Sequence, residues 1–245
     1  MSIQATDRRT ALRALGLVAA SALTRSEFIM QGAVPAVTAA DHLLLGVADL
    51  DRGIQWVEER TGVRPVVGGS HPGRGTRNAL LSLGAKQYLE VIAPDPAQST
   101  YTFQIDLRAL KEPRLVTWAA ATSDIEAVAR GAKAAGQAVV GPSDGSRARP
   151  DGKVLKWRSL GVASSLAVGV VEPIPFFIQW AADVVHPATD SPGGCQLKAL
   201  RIAHPQPAAV VGVLKAVGID ADVASASEAA LYATVSTAKG VIELH

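Results

Sequence analysis

The segment richest in chemistry is His71-Pro72-Gly73-Arg74-Gly75-Thr76-Arg77-Asn78. Its glycines permit a tight backbone. Arg74 and Arg77 carry forked donors that grip a carboxylate or phosphate in a bidentate way, and His71 and Asn78 offer further polar contacts to a ligand. The same residues also suit a plain turn between strands, with solvated arginines. A counterpart, Ser146-Arg147-Ala148-Arg149-Pro150-Asp151-Gly152, sets two more arginines in a second loop. Two such loops flanking one cleft would favour an acidic ligand. Trp118, Trp157 and Trp180 alternate with apolar neighbours in the second half of the chain. Core packing is their ordinary role, while Trp118 and Trp180 also suit the wall of an aromatic-lined pocket. His186-Pro187 and His204-Pro205 read as turns, and Cys195 as a small buried apolar group. The sequence holds no P-loop, no dinucleotide fingerprint and no nucleophile elbow.

The composition bounds what surrounds these residues. Apolar residues make up 48% of the 245 but aromatics only 4%, so Ala, Val and Leu must build the core. A single cysteine excludes an internal disulfide framework and a thiolate zinc cluster. The formal charge of +2, without a basic stripe, argues against a nucleic-acid partner. No apolar run reaches the ~18 residues of a spanning helix, so stable membrane insertion is not expected. Residues 1–40 stand apart. Arg8-Arg9, with Leu12 and Arg13 behind, precedes the apolar run Ala14 to Leu23, which resembles a twin-arginine export signal. Ala36-Val37-Thr38-Ala39-Ala40 would supply its cleavage site. The alternatives are an amphipathic or disordered N-terminal extension, or a start at Met30. The location is accordingly periplasmic by export, or cytoplasmic. The leader's four arginines and two acids account for the whole net charge, leaving 20 basic and 20 acidic groups in the remainder.

From Asp41 the elements recur. His42 to Val47 reads as a buried strand and Asp49 to Thr61 as a helix with Asp49 as N-cap and Gly62 as stop. Strands follow at Pro65 to Val67, Asn78 to Leu83 and Gln87 to Ile92, with a glycine-rich loop over Gly68 to Thr76. The order repeats with a strand at Leu115 to Thr122, a helix from Asp124 to Ala135 ended by Gly136, and a strand at Gln137 to Val140. A loop over Gly141 to Gly152 and strands at Val154 to Leu160 and Pro175 to Trp180 complete the copy. Tyr88-Leu89-Glu90-Val91 aligns with Phe177-Ile178-Gln179-Trp180. Duplication at this spacing means paired supersecondary units. After the linker Asp183 to Gly194 comes a shorter strand–helix–hairpin unit. The predicted fold is α+β, with βαβββ modules at 41–94 and 114–182 forming curved mixed sheets around a cleft. A degenerate βαββ module at 195–245 joins them in one compact unit over 41–245.

Asp41-His42-Leu43, Val47-Ala48-Asp49-Leu50-Asp51, the His71–Leu80 segment and Tyr88-Leu89-Glu90 resemble a glyoxalase-like domain of the vicinal oxygen chelate superfamily. Arg149 to Trp157 and Phe176-Phe177-Ile178-Gln179-Trp180 fit the same pattern. The resemblance implies paired modules enclosing a cleft, often with a divalent metal whose ligands stand on the first and last strand of each module. His42 and Glu90 occupy those positions in the first module. In the second, Thr117 and Gln179 do, and Gln179 is a poor ligand. The implied set is therefore His42, Glu90 and Gln179 around Zn, Ni, Mn or Fe. Without metal, His42 and Glu90 would serve as an acid/base pair beside a carbonyl, or simply as a hydrogen-bonded strand histidine and a cleft carboxylate. The function implied is a lyase, isomerase or dioxygenase acting on a small oxygen-rich, acidic metabolite, with His71, Arg74, Arg77, Asn78, Trp118, Arg147, Arg149 and Trp180 as substrate contacts. The alternatives are a non-catalytic protein that sequesters a small molecule in the same cleft, and a structural module that forms a homodimer.

Overall fold

Alternation of apolar and polar residues, interrupted by two capped helices, sets the architecture. The computed structural model describes residues 32–149 and 151–245. The short strand β1 (Val34–Pro35) and one-turn helix α1 (Ala36–Ala39) lead into β2 (Ala40–Gly46). Helix α2 (Leu50–Thr61) follows, then β3 (Val66–His71), β4 (Thr76–Gly84) and β5 (Gln87–Pro94). The second module repeats this with β6 (Arg114–Ala121), α3 (Ile125–Ala134), β7 (Val139–Ala148), β8 (Val154–Val162) and β9 (Phe176–Trp180). Asp49 and Asp124 cap their helices as expected, accepting from Arg52 N and Ala127 N at 2.9 Å each. Gly62, at φ 79°, takes the left-handed turn that ends α2.

Eight strands form one sheet, in the order β3-β4-β5-β2-β6-β9-β8-β7, in which the two modules' strands follow matching orders outward from the β2–β6 seam. Each module contributes four strands, with its first and last strands parallel, and β2 joins β6 antiparallel. The curved sheets expected from the two modules are thus one continuous sheet. The segments expected as glycine-rich loops are largely strand. Gly68 to His71 belongs to β3 and Gly141 to Ala148 to β7, each entered through a break in register at Val67/Gly69 and Val140/Ser143. Glycines at φ 131° (Gly69) and 97° (Gly141) absorb those breaks.

The sheet curls until its outer strands meet, and Arg147 Nη1 of β7 donates to the Gly68 carbonyl of β3. Its convex face carries the main core, where Leu43, Leu45, Leu81, Leu89 and Val91 pack with Leu50, Ile54 and Val57 of α2 and Ile125 of α3. On the concave face the segment between β5 and β6 closes one end, packing Leu107, Phe103 and Leu110 on Leu44, Ile92 and Val116. The segment after β9, with helix α4 (Pro187–Asp190), covers the other end and sets Ala188 against Leu80, Tyr88 and Trp180.

The C-terminal unit comprises β10 (Gln196–His204), α5 (Pro207–Ala216), β11 (Ile219–Asp220), β12 (Asp222–Ser225), β13 (Ala230–Thr237) and β14 (Gly240–Leu244). It opens strand–helix like the modules but pairs differently. Its sheet order is β12-β10-β13-β14, so the opening strand lies inside the sheet rather than at an edge. The expected leader lies outside the described residues over 1–31. Residues 34–40 are part of the fold. Val34 and Pro35 pair with Ile219 and Asp220, and Ala36 and Ala40 are buried. A cut at the small-residue stretch would remove that pairing. Among the described residues no helix is long and apolar enough to cross a membrane.

Candidate functional site

Strand alternation puts His42, Tyr88, Glu90 and Asn78 on the concave face, because His42 stands beside Tyr88 and Leu44 beside Glu90, while Leu80 of β4 pairs with Glu90. His42 Nε2 lies 3.5 Å from Glu90 Oε2. The other imidazole nitrogen, Nδ1, is 2.7 Å from Asp41 Oδ1. Consecutive strand residues ordinarily face opposite ways. Here the β2–β6 register slips between Ala40 and His42, and this bulge turns Asp41 inward beside its neighbour. The second oxygen of Asp41 accepts from Trp180 Nε1 at 3.0 Å and meets His186 Nε2 at 3.1 Å. Around Glu90, Asn78 Nδ2 donates to Oε1 at 2.6 Å, and His71 Nε2 stands 3.5 Å from the same oxygen. His71 is itself held by Thr76 Oγ1 at 2.8 Å. Tyr88 stacks on His42 at 4.5 Å, and Phe176 meets the imidazole edge-on at 5.6 Å.

The cluster is shielded from water, with Asp41, His42, Asn78 and Glu90 all buried. Burial works to raise the Asp41 carboxyl, but hydrogen bonds to His186 and His42, together with their charge, prevail and hold it at about 2. Burial likewise opposes ionisation of Glu90, yet His71, His42, the Asn78 hydrogen bond and Arg147 keep it below the usual carboxylate range. His71 is lowered by burial and by the nearby cations, against the pull of Glu90. Burial and the charges of Glu90 and Asp41 push the Tyr88 phenol well above its ordinary value. Two carboxylates and a neutral phenol therefore surround one imidazole.

The other expected contacts divide. Trp180 joins the site through Asp41, and Arg147 lies buried close enough to act on Glu90 and Tyr88. Arg149 stands near the surface and is paired with Asp190 at 2.6 Å. Arg74 is exposed and lies over Phe103. Arg77 alternates with Asn78 and so takes the opposite sheet face. Trp118 is fully buried in the convex core, where its indole donates to the Pro173 carbonyl at 3.0 Å. Gln179 also lies away from the cluster, bonding Ile125 N and Ser123 O at the start of α3. The pairing shows why. Ala119 of β6, the counterpart of Leu44 by the Asp49/Asp124 anchor, stands beside Phe176, as Leu44 does beside Glu90. The counterpart of Glu90 is thus Phe176, three residues from Gln179, and an odd slip changes the face. Asp41, Tyr88, Phe176 and His186 are site residues that the sequence reading did not single out. The Asp–His dipeptide was the one available signal, since His186 arrives from a segment remote in sequence.

A family model of the glyoxalase-like domain matches residues 40–218. The chain belongs to that family. Among solved structures, the chain is similar to a hypothetical protein from Staphylococcus aureus at 15% identity and TM-score 0.64, covering 84% of this chain and 98% of that one, a likeness of fold. Weaker matches are methylmalonyl-CoA epimerase from Mycobacterium tuberculosis (24% identity, TM-score 0.44, 61% and 92% covered) and the Streptomyces coelicolor enzyme in complex with 2-nitronate-propionyl-CoA (18%, 0.42, 60% and 100%). No curated protein matches the chain.

Members of the superfamily to which this glyoxalase-like domain belongs often hold a divalent metal, and the donor set here can be tested for one. Of His42, Glu90 and Gln179, the first two converge and the third lies on the opposite face of the sheet. The position that would supply the second module's carboxylate holds the phenyl ring of Phe176. The Asn78 amide donates to Glu90 Oε1 and stands 3.2 Å from His71 Nε2, so it occupies the space between those two groups. Among the described residues no three His, Cys, Asp or Glu side chains are disposed to hold a metal ion. This donor set does not fit the expected metal.

Proposed function

We propose that this glyoxalase-like protein is an enzyme of the isomerase or lyase type, moving a proton at a carbon beside a carbonyl of a small oxygen-rich metabolite. The observation that carries this reading is the buried line Asp41–His42–Glu90, joined at 2.7 and 3.5 Å. Ionised Asp41 accepts from His42 Nδ1–H and fixes the tautomer, which leaves Nε2 as the atom that takes or gives a proton. Glu90 Oε2 faces that atom, while Asn78 restrains the other carboxylate oxygen. Tyr88 keeps its phenolic proton and fixes the plane of the imidazole by stacking. The closed ends of the concave face keep out bulk water, which strengthens each charge–charge interaction.

The test is deuterium uptake from D₂O, followed by proton NMR, at the carbon beside the carbonyl in a panel of 2-oxo and 2-hydroxycarbonyl compounds. His42→Ala and Glu90→Gln should each slow exchange by about 10²–10⁴-fold. Binding of panel members without exchange would overturn the enzymatic reading and leave a protein that sequesters its ligand.

A further inference from the structure

Arg147 is a cation whose position the proton-transfer cluster does not explain. It is 5% exposed, and its one hydrogen bond among the described residues runs to a neutral acceptor, the Gly68 carbonyl. Among the described residues no carboxylate oxygen lies within 4.0 Å of its guanidinium. Glu90 and Arg149 act on it from farther away, and burial lowers its affinity for the proton. A guanidinium has five N–H donors, and burying it without an anion is costly. Arg149, two residues on, is answered differently, since Asp190 and Asp151 lie 2.6 and 3.5 Å from it. Of the two, Arg147 is therefore the arginine that retains capacity for an anion.

Beside it lies a cavity of about 160 Å³. Val67, Leu80, Leu155 and Pro187 supply its apolar wall, with Arg147 among the lining residues and the Arg149–Asp190 pair at its edge. The volume is small beside the ~300–1,000 Å³ typical of pockets for drug-sized ligands. Leu80 belongs to one apolar cluster with Tyr88 and Ala188, against which Trp180 packs, so one wall of the cavity adjoins the His42–Glu90 cluster. A larger depression near Lys198 and Asp220 is remote from this chemistry.

We propose that Arg147 is the receptor for a ligand carboxylate, and that the ligand class is a small 2-oxo or 2-hydroxy acid with a short apolar tail. The guanidinium takes the carboxylate, the apolar wall takes the tail, and the adjacent carbon is presented toward His42 and Glu90. A single guanidinium suits a monoanion, whereas a phosphate dianion would call for more positive charge than Glu90 and Asp190 leave here. The assignment rests on the proton-transfer reading for its chemistry but not for its binding geometry.

The experiment separates the two. Binding of 2-oxobutyrate, its methyl ester and inorganic phosphate to the full chain is followed by thermal shift and calorimetry, and exchange by NMR on the same samples. The acid should bind at least tenfold more tightly than the ester or phosphate, a difference typical of a buried charge-assisted pair (~1.5–3 kcal/mol). Arg147→Met should abolish that preference. Arg147→Lys, which keeps the charge and loses the fork, should weaken acid binding about tenfold and covers the case in which the methionine variant does not fold. Arg158→Ala, removing an exposed arginine paired with Glu126, should change nothing. Equal binding of acid and ester, tighter binding of phosphate, no acid binding at millimolar concentration, or full acid binding by Arg147→Lys would each overturn the assignment. Arg147-dependent acid binding without exchange would keep it and remove the enzymatic reading. Exchange indifferent to Arg147 would do the reverse.

Discussion

Asp41 and His42 are consecutive in β2, yet both face the concave side, with Oδ1 and Nδ1 2.7 Å apart. The bulge that achieves this lets one carboxylate serve His42, His186 and Trp180 together. Asp41 thus organises the site without facing Glu90.

Its acid behaviour follows. Asp41 falls from 3.8 to about 2 on folding, so it contributes stability that is fully present above its unfolded value and lost as pH falls through the folded one. The shift corresponds to roughly 2 kcal/mol. Asp41→Asn should therefore cost roughly 2 kcal/mol or more in urea unfolding at pH 7. Its deficit relative to the wild type should shrink between pH 4 and 2. A deficit that stays constant across that window would contradict the coupling.

Glu90→Gln keeps an acceptor for Asn78 and removes a charge. Solvent exchange at the carbon acid should fall by about 10²-fold or more. Binding of 2-oxobutyrate should tighten, because the variant no longer repels a carboxylate held at Arg147. Parallel loss of both would mean that Glu90 is structural.

Trp118, fully buried, and Trp180, half-buried, should separate under one substitution. Trp118→Phe removes a hydrogen bond to Pro173 within the convex core, costing about 1–2 kcal/mol with exchange unchanged. Trp180→Phe withdraws a donor from Asp41 Oδ2 and should slow exchange, with a similar or smaller cost in stability. Urea unfolding and NMR exchange on both proteins decide the matter; slowed exchange in Trp118→Phe would place it at the site.

Local signals made much of the architecture legible. The caps Asp49 and Asp124, the stop glycines and the alternating strands are short-range features, and they gave the order of both modules. His42, Glu90, His71 and Asn78 fall together because parity places a strand residue on a face. Parity also explains the failures. An alignment of Gln179 with Glu90 is three residues out of register, enough to exchange the convex face for the concave. Asp41 is hidden from the sequence pattern because a bulge breaks parity, and His186 because chain folding over the concave face leaves no periodic trace. Arg147 and Arg149 looked equivalent in sequence. The carboxylates of Asp190 and Asp151 beside Arg149, and the burial of Arg147, make them different.

Gly68 offers the sharpest test of how tightly the site is built. A Cβ there would lie 2.4 Å from Asn78 Oδ1, 3.0 Å from Arg147 Nη1 and 3.2 Å from Leu80 Cγ. Its backbone is not among the left-handed glycines, so alanine would act through contact rather than backbone strain. The methyl group would push the amide that restrains Glu90 and the guanidinium that closes the sheet. Gly68→Ala should cost about 1–3 kcal/mol, slow exchange and weaken acid binding together. Gly131 in α3 provides the contrast, with nothing within 4 Å of its added Cβ. Gly131→Ala should raise stability by up to about 1 kcal/mol through helix propensity and leave exchange and binding unchanged. If Gly68→Ala exchanges and binds like the wild type, then β3 can move away from β7 without disturbing Asn78 and Arg147. The closed edge of the sheet would then not be what positions the site.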